Sequence, residues 1–183
     1  MGTLYLIRHG CTEANEKKLY CGSTDVPLSE EGVEGLKKIH YQAPKDCIFI
    51  TSGMERTRQT LHCLFGDVPY ITDPRFREID FGAFEMKSYE ELKDDPDYQE
   101  WISGDNDQNV PPEGESGIQL KKRVIEGLLE LQKESRDVVL IAHGGVIASI
   151  MAYLFPEEKK DRYTWQPGSG RGYVISEGIY KKL

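Results

Sequence analysis

The sequence of 183 residues has no apolar run approaching the roughly 20 residues that a membrane-spanning helix needs. Its first apolar stretch, residues 3–7, is too short for the core of a secretory signal peptide and is followed at once by an arginine. A myristoylation signal is also missing, because Leu6 stands where such a signal has Ser or Thr. We therefore expect a cytoplasmic protein without a membrane partner, folded as a single domain over residues 1–183.

Cysteine is scarce, and positive charge is not in excess. The four cysteines form no Cys-x-x-Cys pair, so neither a zinc site nor a disulfide framework is expected. The net charge is −8, which argues against nucleic acid as a partner because duplex binding depends on Lys and Arg at phosphates. Since no cluster of His, Asp and Glu has metal-ligand spacing, the sequence predicts neither a metal nor a cofactor.

The negative charge is concentrated in one segment. Residues 85–116 contain 11 acidic residues and two lysines, with several Pro and Gly breakers. We expect a small inserted cap at about 84–116, not a second domain. Its aromatic residues Tyr89, Tyr98 and Trp101 either stack on a substrate or form a small core, and we expect the core for two of the three.

A recurring pattern organises the rest of the chain: a short apolar run, then a turn or helix start that bears Arg or His. The runs cover residues 4–7, 47–50 and 138–142. Because they are apolar throughout and do not alternate, they are typical of strands covered on both faces. The pattern predicts an α/β fold: a three-layer sandwich whose mostly parallel central sheet is flanked by helices.

Besides the helix-like segment that bears Arg56, helices are expected at three places, with a hairpin at the end. Ser29 caps a helix that reaches about residue 41, and apolar residues at helical spacing predict helices over about 116–133 and 144–154. Residues 172–176 and 179–182 flank a Glu-Gly turn and are expected to close the sheet edge as a hairpin.

The three strand ends carry the residues that matter for chemistry. Ligands of α/β sheets collect at the carboxyl ends of strands, so Arg8, His9, Arg56 and His143 are expected to meet in one anion-binding crevice. Two interpretations stay open: simple binding of a phosphate or carboxylate, and phosphoryl transfer through a histidine nucleophile. Transfer requires arginines to offset the phosphate charge and a carboxyl group to protonate the leaving oxygen, for which Glu78 is the candidate.

Six ordered motifs that cover nearly the whole chain resemble the histidine phosphatase superfamily. They are Arg8-His9-Gly10 with Thr12 and Asn15; Gly22 with Asp25-Val26-Pro27-Leu28-Ser29 and Gly32; Thr51-Ser52-x-x-x-Arg56-x-x-Gln59-Thr60; Glu78-x-x-Phe81-Gly82-x-Phe84-Glu85; Gly114-Glu115-Ser116; and Ala142-His143-Gly144-Gly145. A lone Arg-His-Gly tripeptide would carry little weight, whereas six motifs in the family's order are specific.

The resemblance implies a role for each matching position. His9 becomes phosphorylated, Arg8, Arg56 and His143 grip the phosphoryl oxygens, and Glu78 protonates the leaving group and then activates water. The substrate-binding positions that it adds are Asn15, Cys21, Gly22, Arg58 and Gly144.

The sequence departs from the family pattern at Cys11, where Glu or Gln is usual, and at Cys21, where a polar residue is frequent. A redox sensor and plain pocket-lining thiols are the two interpretations, and the second is favoured. His40 and His62 match no motif and are assigned no role.

The resemblance favours a metal-independent phosphatase that hydrolyses a small-molecule phosphate ester through a phosphohistidine. Residues 20–28 and 81–85 are similar to the α-ribazole-phosphate phosphatases, which makes α-ribazole 5'-phosphate the first candidate substrate. The alternatives are a phosphoglycerate mutase or a broad-specificity sugar phosphatase and, remotely, a non-catalytic phosphate-binding module. A homodimer is left open.

Overall fold

The computed structural model describes residues 2–103 and 107–183, and no helix in these ranges is long and apolar enough to cross a membrane. Its centre is a six-stranded sheet in the order β3-β2-β4-β1-β5-β6. The strands are β1 (Leu4–Arg8), β2 (Ile48–Thr51), β3 (Tyr70–Thr72), β4 (Val138–Ala142), β5 (Gly172–Ser176) and β6 (Ile179–Lys182). The first four strands are mutually parallel, whereas β5 and β6 run antiparallel to their neighbours.

Both faces of the sheet are covered, which confirms the predicted three-layer α/β fold. Within β1, Leu6 belongs to the larger hydrophobic core and Ile7 to the core on the other face. Within β4, Leu140 and Ile141 divide in the same way, and each is fully buried. Because helices pack against both faces of the sheet, apolar residues are buried on either face, and the strands are apolar throughout.

The helices are α1 (Glu13–Glu16), α2 (Glu30–Lys37), α3 (Glu55–Phe65), α4 (Tyr89–Leu92), α5 (Pro96–Ile102), α6 (Gly117–Leu131) and α7 (Gly144–Leu154), with single 3-10 turns at Pro74–Phe76, Gly82–Phe84 and Pro156–Glu158. Leu128 of α6 and Ile147 of α7 belong to the larger core, and Leu61 of α3 to the core on the opposite face. Ser29 and Ser116 cap α2 and α6 by accepting a backbone N–H of the first turn.

Two elements differ from the prediction. The helix expected to reach residue 41 ends at Lys37: Gly32 and Gly35 lower its helix propensity, and the Lys38 and Ile39 N–H groups close the last turn by bonding three residues back. The sequence analysis does not predict β3. That strand has only three residues, all exposed at the sheet edge, which is shorter than the runs by which strands are predicted.

The segment predicted as a cap contains α4, α5 and a small core of its own. The buried residues of this core are Phe84, Leu92 and Tyr98, and Trp101 packs against them. Tyr89 is 53% exposed and makes an edge-on contact with Tyr98 of this core. Residues 104–106 of the segment lie outside the described residues.

The small core of this segment extends to the body of the protein through Tyr20. The Tyr20 hydroxyl lies 2.6 Å from that of Tyr98, and the Tyr20 backbone exchanges hydrogen bonds with Met86 and Lys87. These bonds hold the start of the loop that follows Tyr20. This loop also borders the carboxyl ends of β1, β2 and β4, where the candidate site lies.

Candidate active site

His9 follows β1 and is held in one orientation. Its backbone N–H donates to the Ala142 carbonyl of β4, and its ring Nδ1 lies 2.6 Å from the Gly10 carbonyl oxygen. A carbonyl oxygen can only accept, so Nδ1 carries the proton and Nε2 keeps its lone pair. Burial, and next the charges of Arg56 and Arg8, lower the pKa of His9 to about 3. At neutral pH His9 is therefore a neutral imidazole with a nucleophilic Nε2.

His143 ends β4 beside His9, and the two ring centroids lie 5.1 Å apart. Arg56 Nε donates to His143 Nδ1 at 3.3 Å, and His143 Nε2 lies 2.9 Å from Ser52 Oγ. Because Nδ1 accepts and burial lowers the pKa of His143 well below its ordinary value, the single ring proton is on Nε2. Ser52 Oγ therefore accepts a hydrogen bond from His143 Nε2–H, and this bond fixes the tautomer of His143.

The hydrogen-bond chain continues from Ser52 into the first turn of α3. Ser52 Oγ lies 3.1 Å from Thr57 Oγ1, whose hydroxyl donates to the Met54 carbonyl at 2.7 Å. Since Thr57 uses its proton on Met54, Ser52 donates to Thr57. Ser52, Thr57 and His143 are each fully buried, so each donor and acceptor in the chain needs its partner.

Arg56 is 1% exposed and lies in the first turn of α3. Besides its bond to His143, its Nη2 donates to the Gly22 carbonyl at 2.8 Å and its Nη1 to the Thr24 carbonyl at 2.9 Å. Each terminal nitrogen of a guanidinium carries two protons. One proton on each therefore stays available for an anion.

Arg8 is the second cation of the site. Its Nη1 donates to the Pro167 carbonyl at 2.9 Å, while its buried Nε has no hydrogen-bond partner among the described residues. An unpaired buried donor is costly and calls for an explanation, which an anionic ligand supplies. Gly144 lies beside Arg8, and a Cβ at this position would press on the Gln166 side chain, 2.9 Å from its Oε1, while making ordinary contact with Arg8 Cζ at 3.5 Å.

Glu78 reaches the site from the turn before the cap. Its Oε1 accepts the Ile79 N–H at 3.0 Å and its Oε2 accepts the Gly145 N–H, at the start of α7, at 2.9 Å. The Gly145 bond ties Glu78 directly to the turn that follows His143. Each carboxyl oxygen keeps a second lone pair, which can hold the proton that a leaving group needs.

Arg123 of α6 holds the segment that presents Glu78. It makes a bidentate pair with Glu115, with both distances at 2.7 Å, and donates to the carbonyls of Arg75, Arg77 and Glu78. A bidentate pair has both specific geometry and strong, charge-assisted bonds. The predicted site does not include Arg123, which belongs to none of the quoted motifs.

Two further motif residues without a predicted role fix the loops around His9. The Gly10 N–H donates to Thr60 Oγ1 at 2.9 Å, and the Leu28 N–H donates to Gln59 Oε1 at 2.7 Å. Residues of α3 thus hold both the loop after β1 and the loop before α2. Motif residues without a predicted catalytic role can hold loops in this way, but the sequence alone does not show which backbone atom each side chain contacts.

The predicted substrate-binding residues occupy different surroundings. Asn15 lies in α1, where its Oδ1 accepts the Thr12 N–H at 3.1 Å, so its amide N–H groups are the part that can meet a ligand. Gly22 contributes a carbonyl to Arg56 and thus acts through that residue. Arg58 pairs with Glu55 on the exposed side of α3 and lines a surface groove with His62 and other residues. Its substrate-binding role stays a prediction, separate from the cluster around His9.

The thiols of Cys11 and Cys21 are partly buried. Burial raises the pKa of Cys11, and the nearby charge of Glu16 adds to this. Burial also raises the pKa of Cys21, although Arg56 opposes the shift. A raised pKa leaves little thiolate at neutral pH, which supports pocket-lining thiols over redox sensors. His40 and His62 are exposed, in keeping with the absence of a predicted role.

The arrangement as a whole combines a neutral nucleophile, two guanidinium groups and one carboxyl group. His9, Arg8, Arg56, Glu78 and His143 are joined through direct bonds or through shared backbone neighbours. The cations favour an anion with several oxygens, and the carboxyl group can move a proton beside it. Such a site can bind a phosphate ester and transfer its phosphoryl group to His9.

Comparison with known proteins agrees with this chemistry. Residues 4–175 match the family described as the histidine phosphatase superfamily, branch 1. An adenosylcobalamin/alpha-ribazole phosphatase of Salmonella typhimurium is 34% identical over 188 residues, covering 96% of this chain and 92% of that protein. A probable phosphoglycerate mutase of Yersinia pestis is 29% identical, covering 82% of this chain and 74% of that protein.

Solved structures show the same fold. The crystal structure of a phosphoglycerate mutase from Thermus thermophilus has a TM-score of 0.74 and 29% identity, covering 96% of this chain and 93% of that one. An Escherichia coli structure assigned as an alpha-ribazole-5'-P phosphatase has a TM-score of 0.84, covering 100% of this chain and 94% of that one. Its identity is 23%, so this second likeness concerns the fold alone.

Proposed function

The chain belongs to the histidine phosphatase superfamily, and from that membership we propose that it hydrolyses a small-molecule phosphate monoester through a phosphohistidine at His9. One observation carries the proposal: His9 donates from Nδ1 to the Gly10 carbonyl, so its Nε2 is an unprotonated nucleophile between Arg8 and Arg56. A site that only bound phosphate would need the cations but not a histidine kept neutral in this orientation.

The reaction proceeds in two displacements. In the first, His9 Nε2 attacks phosphorus, the bond from phosphorus to the ester oxygen breaks, and Glu78 gives its proton to the departing oxygen. In the second, Glu78 takes a proton from water as the water oxygen attacks phosphorus, and the bond from phosphorus to Nε2 breaks. Inorganic phosphate leaves, and both His9 and Glu78 return to their initial protonation states.

The cations act on the phosphoryl oxygens in both displacements. The free protons of Arg56 and the unpaired Nε–H of Arg8 are donors already in place, which reduces reorganisation when charge develops. His143 is neutral in this structure, so its Nδ1 must gain a proton before it can donate to a phosphoryl oxygen. A dianionic phosphoryl group favours that gain, and Arg56 Nε then gives up its bond to Nδ1, while Nε2 keeps its bond to Ser52.

We propose α-ribazole 5'-phosphate as the substrate. The name of the Salmonella typhimurium relative supports this choice, since that relative matches 96% of the chain. The aromatic residues Tyr20 and Trp101 at the cap are only partly buried and offer ring surface to a flat heterocycle. The proposal includes residues 84–116 as a cap over the site within one domain.

A phosphoglycerate mutase is the second candidate, because relatives and a solved structure with 28–29% identity have that name. A mutase returns the phosphoryl group from His9 to another hydroxyl of the same acid, whereas a phosphatase gives it to water. Incubation with 3-phosphoglycerate separates the two, since a mutase yields 2-phosphoglycerate and a phosphatase yields glycerate and phosphate.

The location, the binding partners and the oligomeric state of the protein are part of what we propose. We place its action in the cytoplasm on a free small molecule, without nucleic acid or membrane as a partner. The homodimer stays a prediction that light scattering of the purified protein can test.

The experiment that tests the function is steady-state phosphate release in EDTA from a panel of esters. The panel contains α-ribazole phosphate, 3-phosphoglycerate, fructose bisphosphate and p-nitrophenyl phosphate, and each is measured beside His9→Ala. We expect release that is lost in the variant and highest in kcat/KM for α-ribazole phosphate. Equal phosphate release by the wild type and His9→Ala would refute the proposal. Phosphate release that is seen without EDTA and abolished by it would refute metal independence.

A further inference from the structure

Glu85 follows the 3-10 turn Gly82–Phe84, and its carboxylate lies against the backbone of residues 22–24. Its two oxygens accept the N–H groups of Gly22, Ser23 and Thr24 at 2.9–3.2 Å and the Thr24 hydroxyl at 2.6 Å. A further bond comes from the Phe81 N–H at 3.0 Å. Hydrogen bonds to an ionised acceptor are about twice as strong as neutral ones, so this carboxylate fixes the loop.

The opposite side of the same loop holds Arg56. The carbonyl of Gly22 accepts Arg56 Nη2 and the carbonyl of Thr24 accepts Arg56 Nη1, at 2.8 and 2.9 Å. The N–H groups of residues 22–24 therefore face Glu85, while carbonyls of the loop face Arg56. A rotation of this loop would change the direction in which Arg56 presents its free protons.

The loop also lies against the segment that carries Glu78. A Cβ at Gly22 would come within 1.6 Å of the Ile79 carbonyl oxygen, so only glycine allows this approach. The Ser23 hydroxyl donates to Asp80 Oδ1 at 2.8 Å. Glu85 thus joins a loop that orients a cation of the site to the segment that presents its acid.

We propose that Glu85 is a positioning residue for phosphoryl transfer, acting through residues 22–24 to orient Arg56. The inference rests on the proposed function and assigns Glu85 no contact with the substrate. Replacing the carboxylate with an amide turns an NH2 group toward backbone N–H groups, which leaves donors facing donors. The loop then relaxes, and an error of about 1 Å at a positioning group can cost about 100-fold in rate.

The test compares Glu85→Gln with a matched control, Glu91→Gln. Glu91 also accepts a backbone N–H and a hydroxyl, those of Ser88, and it lies in the cap without contacting residues 22–24. With p-nitrophenyl phosphate we expect kcat/KM to fall between about 10- and 100-fold in Glu85→Gln and to change less than about twofold in Glu91→Gln. The affinity for inorganic vanadate should fall in parallel, since vanadate is gripped by the same donors.

A double-mutant cycle separates positioning of Arg56 from a general structural role. In an Arg56→Ala background, Glu85→Gln should weaken vanadate binding by less than about twofold, because its target is already gone. An undiminished effect in that background would overturn the proposal. So would a Glu85→Gln protein whose kcat/KM and vanadate affinity equal those of the wild type.

A milder variant keeps the proposal testable if Glu85→Gln does not fold. Thr24→Val removes only the hydroxyl bond to Glu85, and we expect a loss of about three- to tenfold in kcat/KM, with no loss overturning the proposal. Failure of the proposed function has a different signature. It would appear as activity that persists in His9→Ala, whereas failure of the positioning role leaves a His9-dependent enzyme that is indifferent to Glu85.

Discussion

Ser52 Oγ lies 2.9 Å from His143 Nε2, and this contact decides which nitrogen of His143 carries the ring proton. Arg56 donates to the other nitrogen, so the neutral ring must have its proton on Nε2. Once Nδ1 gains a proton and the Arg56 bond to it is released, His143 can donate to the phosphoryl group while Nε2 keeps its bond to Ser52. Ser52 thus acts on the site through His143, and we assign its hydroxyl no contact with the phosphoryl group.

We expect Ser52→Ala to lower kcat/KM about tenfold, because His143 loses the acceptor that fixes its tautomer. Thr51→Val is the matched control: Thr51 is the buried neighbour in β2, and its hydroxyl accepts the Gly53 N–H, away from His143. Nitrogen NMR of the histidine rings should report a changed His143 signal in Ser52→Ala alone. Equal activity and an unchanged signal in Ser52→Ala would contradict this role.

Glu78→Gln should separate the two displacements. The variant cannot supply a proton, so we expect kcat for an alkyl phosphate to fall between about 100- and 10,000-fold. The nitrophenolate of p-nitrophenyl phosphate leaves without a proton, so its first displacement should persist. Stopped-flow absorbance should then show a burst of one nitrophenolate per site followed by slow turnover. A linear time course without a burst would contradict the assignment of Glu78 to the water step.

Arg123→Met tests whether the Glu115 pair supports Glu78. Removal of Arg123 leaves three backbone carbonyls without their donor, and we expect the free energy of unfolding to fall by about 2 kcal/mol. Activity should fall more for alkyl phosphates than for p-nitrophenyl phosphate, as in Glu78→Gln. Urea unfolding and kcat with both esters check these expectations. A uniform loss of activity across the two esters would mean that Arg123 does not act through Glu78.

The low pKa of His9 links protein stability to pH. Its pKa in the folded protein is about 3 against an ordinary 6.5, so between these values the unfolded chain binds a proton that the folded protein does not. The contribution of His9 to the free energy of unfolding is therefore fully present above pH 6.5 and is lost as the pH falls toward 3. Between pH 7 and pH 5, the wild type should lose about 2 kcal/mol more than His9→Asn. Urea unfolding at both pH values measures the difference, and equal losses would refute it.

The sequence predicts the residues at the centre of the site because they follow runs that are recognisable as strands of the sheet. The apolar runs before His9, His143 and the helix of Arg56 mark buried parallel strands, whose carboxyl ends must lie at one edge. Glu78 follows no such strand, so the sequence names it as the candidate acid without showing that it lies beside the strand ends. In the structure its carboxyl group bonds to the Gly145 N–H beside the strand end that bears His143.

The supporting contacts are beyond the sequence pattern. Ser52 and His143 are 91 positions apart, and Gly22 and Glu85 are 63 apart, so no local spacing connects them. A hydroxyl or a carboxylate has many partners available, and the fold alone decides which one it meets. β3 escapes prediction for a different reason: its residues favour a strand, but a run of three exposed residues is too short to predict one.

The phosphohistidine is the central claim, and it can be trapped directly. Wild-type protein and Glu78→Gln are mixed with p-nitrophenyl phosphate, quenched in alkali within milliseconds and digested for mass spectrometry, with His9→Ala as the control. We predict an acid-labile, alkali-stable phosphoryl group on the peptide that contains His9, at the highest level in Glu78→Gln and absent from His9→Ala. A protein that releases phosphate while no phosphoryl group is found on His9 in either form would contradict the account.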